Sequence, residues 1–280
     1  MPHVWRRHRF RNLAATAALI GAIVLVAAGV GWLLGGQLGV ALTLGAGLLV
    51  GALAPRPPME RALWQRGARR LHAPWLEDAV ERMSRRAGLE RAPVLLGLPE
   101  PVPQAFATEG ARGPAIGVTP ALLRHLHPRE VVAVVAHELS HLRAGDLGLM
   151  RVVAVVAGLT RSAAQIGLLL LLFSVPLAFA SGLSVPWLSV AVLLVAPSVL
   201  HLLSLALSRV REHDADAGAV ELCGDPLALA SALVKIERAA RGPWWLDFFR
   251  VRMPERWQTH PRTEARVARL REMAGVPATA

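Results

Sequence analysis

His137 and His141 are four residues apart, and in an α-helix that spacing puts both side chains on one face, where two imidazoles can reach one metal ion. Glu138 sets a carboxylate beside the same point. Two neutral imidazoles suit zinc, and a carboxylate next to an open coordination position can take a proton from water. The stretch His137-Glu138-Leu139-Ser140-His141 therefore carries the groups for metal-assisted hydrolysis.

A catalytic zinc takes three protein ligands and a water, so a third ligand is needed. It does not follow directly, because Ala144 and Leu147 stand where a metzincin would have glycine and histidine. The candidate lies far along the chain, in Ser208-Arg209-Val210-Arg211-Glu212-His213-Asp214-Ala215-Asp216-Ala217. Glu212 and Asp216 share a helix face, so one can bind metal while the other hydrogen-bonds a ligand imidazole, fixing its tautomer. His213 is the rival ligand, but its side chain points about 100° away from that of Glu212. Asp146 has two readings, as a carboxylate supporting the His137–His141 helix or as a cap at its end.

The remaining histidines have plainer roles. His125 and His127 close a helix ahead of Pro128, and His201 is expected to hydrogen-bond between helices. His3 and His8 belong to a basic tail. The single cysteine, Cys223, excludes an internal disulfide and a cysteine-based zinc cluster.

The elements that must hold these residues are of two kinds. Hydrophobic residues make up 54% of the 280, and they gather into long uncharged blocks, the pattern of a membrane protein. Residues 12–34 would cover about 30 Å as a helix, the thickness of a hydrocarbon core. After Gly35-Gly36-Gln37 a second uncharged run covers 38–54, completing a hairpin, with Gly47 and Gly51 spaced for close helix packing. A second hairpin is expected from spans over 162–181 and 187–207, with 151–161 as helix continuing out of the membrane surface, because Arg151 and Arg161 bound that stretch. Four transmembrane helices result. The N-terminal run is too long for a signal peptide and reads as an uncleaved anchor.

The net charge of +11 would suggest nucleic acid on a soluble protein. Here the arginines flank the apolar blocks, which points to lipid headgroups and not to nucleic acid. Both ends of each hairpin are arginine-rich and the turns are uncharged, so both termini are placed in the cytoplasm.

The charged stretches between hairpins are soluble in character. Helices are expected over 57–71 and 75–88, strands over 93–98, 104–108 and 115–118, and helix starts at Thr119-Pro120 and His127-Pro128. Residues 208–280 read as mostly helical, broken by Pro226, Pro243, Pro254 and Pro261. The expected division is a basic tail (1–11), a first hairpin (12–54), one part of a catalytic domain (55–150), an interfacial helix with the second hairpin (151–207), and the other part of that domain (208–280).

These pieces together resemble the M48 family of membrane metallopeptidases, most closely its bacterial HtpX-like heat-shock branch. The resemblance rests on the first hairpin, Ala105-Phe106-Ala107-Thr108, Ala136 to His141, Gly145-Asp146, the second hairpin, Ser208 to Ala217, and Thr259-His260-Pro261. It implies a gluzincin fold, mainly α (α+β) with a small sheet, with one zinc ion held by His137, His141 and Glu212. It also implies Glu138 as general base, Asp216 as a ligand's partner, and an edge strand that pairs with an extended polypeptide. That strand places Gln104, Ala105, Phe106 and Ala107 against substrate; Gln104 departs from the asparagine usual there. The implied setting is a bacterial inner membrane, and the implied substrates are misfolded or damaged membrane proteins.

The chain has no tyrosine, so a tyrosine cannot stabilise an oxyanion, leaving His260 or an arginine. His260 either touches the site or, within Thr259-His260-Pro261, positions the last helix. Two competing functions remain in view. An intramembrane protease would need the motif inside a span, yet only six apolar residues precede His137 after Arg129-Glu130. A zinc-binding scaffold without activity would have no use for Glu138.

Overall fold

The computed structural model describes residues 2–53, 67–110, 113–182, 186–241 and 263–276. The chain divides into two units, one of Met1–Asn12, Pro55–Leu147 and Arg209–Ala280, the other of Leu13–Ala54 and Gly148–Ser208.

The second unit is built from apolar helix. Helix α1 (Pro2–Leu53) breaks at Gly35 and Gly36, where Gly36 takes φ 57°, a left-handed conformation that glycine adopts without steric cost. The break folds its two arms together: a Cβ on Gly31 would stand 2.6 Å from the Gly39 carbonyl oxygen. Gly47 makes the close contact expected of it against Val156, whose Cγ2 lies 2.8 Å from where a Cβ would be. Three helices among the described residues are long and apolar enough to cross a membrane. Four spans are expected from the sequence; the difference is that both arms of the first hairpin form one broken helical element.

The other two apolar helices are longer than the spans read from the sequence, running from Asp146 to Ser181 (α5) and from Trp187 to Cys223 (α6). Arg151 and Arg161 sit within the uninterrupted α5. Ile23, Ala27, Val153, Val156, Leu200 and Leu207 pack inward, while Leu25, Phe173 and Leu188 stay at least 73% exposed. Large apolar side chains displayed on helices suit a lipid surround. His201 is exposed, contrary to the interhelical position expected, because α6 turns Leu200 inward and the next residue falls about 100° further round.

The first unit mixes helix and sheet. After the two-residue strand β1 (Arg69–Arg70) come α2 (Pro74–Ala87), β2 (Val94–Gly97), β3 (Ala105–Gly110) and β4 (Gly113–Val118). Next follow α3 (Pro120–His125) and α4 (Pro128–Ala144), and beyond α6 come α7 (Pro226–Arg241) and α8 (Thr263–Met273). The sheet order is β1-β2-β4-β3, with β2 and β4 parallel and the outer pairs antiparallel. The helix expected over 57–71 is not found at its described end, where Gly67–Leu71 form a turn and β1. The strand captures Arg69 and Arg70 by backbone pairing with Gly97 and Leu96.

Helix α4 runs through the core of this unit. Val131, Ala133–Ala136, Leu139 and Ser140 are buried among Leu76, Val80, Ile116, Leu122, Leu229 and Leu270. Its start is tied down by Glu130, which accepts from the His127 backbone N–H at 2.8 Å, from Ser231 Oγ at 2.7 Å and from Lys235 Nζ at 2.8 Å. Burial works against the Glu130 charge, but the Lys235, Ser231 and backbone hydrogen bonds outweigh it and hold its carboxyl below the usual range. Helix α4 is thereby fixed in depth against α7.

Candidate metal centre

Four helical residues per turn-and-a-bit bring His137 and His141 together, with ring centroids 4.8 Å apart and planes at 89°. Their Nε2 atoms are 3.2 Å from each other. Glu212, from α6, closes the group: its Oε2 lies 3.5 Å from His137 Nε2 and its Oε1 3.7 Å from His141 Nε2. Among the described residues these three form a group whose ligand atoms all lie within 4.8 Å of one another, able to hold a metal ion. His213, the alternative, does not belong to it.

Each imidazole is held from behind. His137 Nδ1 is 3.1 Å from Asp216 Oδ1, and His141 Nδ1 is 2.7 Å from Asp146 Oδ2. Of the two readings of Asp146, the geometry shows contact with the imidazole. The turn that allows it is Gly145, whose φ of 69° ends α4 in the left-handed region and folds the chain back onto His141. A carboxylate at Nδ1 fixes the proton there and turns the Nε2 lone pair toward the centre.

Each aspartate is in turn held by an arginine. Arg266, on α8, donates to Asp216 through Nε at 2.8 Å and Nη2 at 2.6 Å, and its Nη1 lies 3.1 Å from Glu212 Oε2. Arg211 donates from Nε to Asp146 Oδ1 at 2.6 Å. Two Arg–Asp–His rows thus meet at one point. Burial works against the charge on Arg266, and the Asp216 and Glu212 carboxylates more than offset it, so its pKa is raised further.

This donor set demands a cation. Two Nε2 atoms and a carboxylate converge, with Arg266 Nη1 set against the carboxylate at 3.1 Å. With no metal between them, burial disfavours charge on His137, yet hydrogen bonds to Asp216 and then Glu212 prevail and raise its pKa to about 10. The site draws in one positive ion, a proton or a metal, and the nitrogen-and-oxygen donor set suits a divalent transition metal.

Helices α4 and α6 approach closely enough for this because residue 218 is glycine. A Cβ there would stand 3.0 Å from Ser140 Cβ and closer still to its hydroxyl.

Glu138 faces the sheet. Thr119 N–H donates to the Gln104 carbonyl at 3.0 Å, which sets the phase of the β3–β4 ladder and turns the N–H groups of Ala105 and Ala107 to the outer edge. Ala107 N–H donates to Glu138 Oε2 at 2.8 Å. Gln104 is anchored by its backbone, donating to the buried Thr119 hydroxyl at 3.0 Å, while that hydroxyl also caps α3 at the Leu122 N–H. Phe106 lies across Gly117, where a Cβ would be 2.6 Å from its ring. His260 lies outside the described residues.

Sequence reasoning missed Arg266, Arg211 and Gly218. Nothing local marks Arg266 or Arg211 in a chain with 31 lysines and arginines. Gly218 had a legible sign, the run of small residues Ala215, Ala217, Gly218 and Ala219 around Asp216.

Three groups able to hold a metal ion, two of them on the helix that also carries Glu138, match the donor set of metal-dependent hydrolases. The model of peptidase family M48 matches residues 70–274, and the chain belongs to that family. Among solved structures it is similar to the crystal structure of S. mikatae Ste24p, at 15% identity over 96% of this chain with a TM-score of 0.48. The chain spans 66% of the length of that protein.

Proposed function

We propose that this chain is an integral-membrane zinc endopeptidase that cleaves extended polypeptides, with misfolded or damaged membrane proteins as its physiological targets. The observation that carries the reading is Glu138, which follows His137 on α4 and whose carboxylate accepts from the Ala107 N–H on the edge of β3 at 2.8 Å. A scaffold that only held metal would need the three ligands and not this fourth group.

Zinc, when bound, would supply Lewis acidity, polarising the scissile carbonyl and making a water more acidic. Glu138 takes a proton from the attacking water and returns it to the amine that leaves. The outer edge of β3 offers the backbone groups of Ala105 and the carbonyl of Ala107 to a substrate strand, the Ala107 N–H being held by Glu138, in the mode by which extended peptides add to a sheet. Gln104 and Phe106 border that strand. Asp216 and Asp146 keep the two imidazoles oriented, and Arg266 is a cation held 3.1 Å from Glu212.

The arginine pattern supports a multi-pass protein of a bacterial inner membrane, with both termini and the metal centre on the cytoplasmic side and anionic lipid at the hairpin ends. This setting fits the HtpX-like branch of the family, whose work is quality control.

Glu138→Gln is the decisive variant. It should keep its metal, measured on the purified protein, and lose cleavage of a membrane-protein substrate by at least about 100-fold, the range for removing a general base. Cleavage that persists in Glu138→Gln overturns the mechanism. Reporter fusions at Gln37 and Gly182 should both read outside the cytoplasm.

A further inference from the structure

Arg211 does more than hold Asp146. Its Nη1 donates to Asp214 Oδ2 at 2.7 Å, while its Nε donates to Asp146 Oδ1 at 2.6 Å. The other Asp214 oxygen accepts from Asn12 Nδ2 at 2.7 Å. Asn12 sits in α1 at the point where the uncharged run begins, and its carbonyl oxygen faces Arg269 Nη2 at 3.5 Å, which fixes the direction of the amide. A line of short polar contacts therefore runs from Asn12 through Asp214, Arg211 and Asp146 to His141 Nδ1, joining residues 202 positions apart in sequence.

We infer that Asn12 and Arg211 are positioning residues for the metal centre, holding Asp146, and through it the His141 ring, from the start of helix α1. The inference rests on the metal-centre reading proposed above. Its physical basis is the fixed fork of the guanidinium, which can engage two carboxylates at once only in one orientation, so whatever fixes Asp214 also aims Arg211 at Asp146. Asn12 is buried, and its amide is the group that fixes Asp214 from α1. At the other imidazole, Arg266 on α8 holds Asp216 of α6. The two imidazoles are thus supported differently: His137 through Asp216 from α6 and α8, and His141 through Asp146 from α6 and the start of α1.

The test is cobalt(II) binding to the full chain in detergent, read as a dissociation constant against a competing chelator and as the visible d–d absorption of the bound ion. Asp146→Asn should weaken cobalt by about 10- to 100-fold, the usual effect of losing the partner of a metal-binding histidine. Arg211→Lys, one contact beyond Asp146, should weaken it by about tenfold and Asn12→Leu, three contacts beyond, by about threefold, and both should shift the d–d band. Asn12→Gln, which keeps an amide donor, should recover most of the affinity. Val80→Ala, on the buried face of α2, calibrates loss of stability alone and should leave both readouts unchanged. If Asn12→Leu and Arg211→Lys bind cobalt as the wild type does, or if Val80→Ala weakens it equally, the inference is overturned. If His141→Ala binds cobalt as the wild type does, the metal centre itself is misassigned and the failure lies there.

Discussion

Replacing Gly218 with alanine adds one methyl group against Ser140 where α4 and α6 touch, on the two helices that carry His137 and Glu212. The new carbon would stand 3.0 Å from Ser140 Cβ, and the Ser140 hydroxyl would have to rotate away. Carbon atoms settle at about 3.5–4.0 Å, so the helices must part by roughly 0.5–1 Å. Ser140 is buried, which leaves little room for it to yield alone. Metal–ligand bonds tolerate about ±0.2 Å, so the separation exceeds what the centre can absorb. Metal affinity should fall by about 10- to 100-fold, as when a ligand loses its support.

Folding responds less. Overpacking costs about 1–3 kcal/mol and alanine in a helix recovers about 1 kcal/mol over glycine, a net loss of about 0–2 kcal/mol. Cobalt titration against a chelator, paired with thermal unfolding in EDTA, separates the two effects. Adding Ser140→Gly to Gly218→Ala returns the missing space and should restore most of the affinity, despite about 0.5 kcal/mol of lost helix propensity. Wild-type cobalt affinity in Gly218→Ala, or no recovery in the double variant, would refute the claim that this crossing sets the ligand geometry.

Arg266→Met leaves the buried Asp216 carboxylate without its guanidinium and should destabilise the first unit by about 3–5 kcal/mol in urea unfolding; a loss under about 1 kcal/mol would show that His137 alone compensates the Asp216 charge. Because the His137 pKa rises from 6.5 to about 10, a metal ion must displace a proton at neutral pH. Affinity should therefore climb by about tenfold per pH unit through pH 7–8.5, where an ordinary histidine would already be flat, and Asp216→Asn should flatten it. The raised pKa also stabilises the metal-free fold fully below pH 6.5, and that contribution is lost as pH rises toward 10, so the Tm in EDTA should fall over that range.

What the sequence could disclose follows the range of each contact. The four-residue spacings of His137 with His141 and of Glu212 with Asp216 are local, and each lands on one helix face. The three strands read from short apolar runs appear as β2, β3 and β4. Strand β1 has only Arg69 and Arg70, both exposed, so no alternation could announce it. Asp146 could be narrowed to two roles by position, but only the Gly145 turn shows that it reaches His141. Arg266 meets Asp216 across 50 residues, and Asn12 meets Asp214 across 202, with no periodic pattern to link them. Asn12 reads in sequence as merely the first residue of an apolar run, yet it belongs to the unit that carries the metal ligands.

The charges around the centre explain why a divalent ion, and not merely any cation, suits it. Glu138, Glu212, Asp146, Asp214 and Asp216 bring five carboxylates, and Arg211, Arg266 and Arg269 bring three guanidiniums, leaving two negative charges around a pair of imidazoles. A proton on His137 meets only half of that imbalance, whereas a divalent ion cancels it where Coulomb terms in a buried site are strong. The arginines therefore do two things at once. They hold the aspartates that aim the imidazoles, and they reduce the negative charge of the pocket to the value one such ion neutralises.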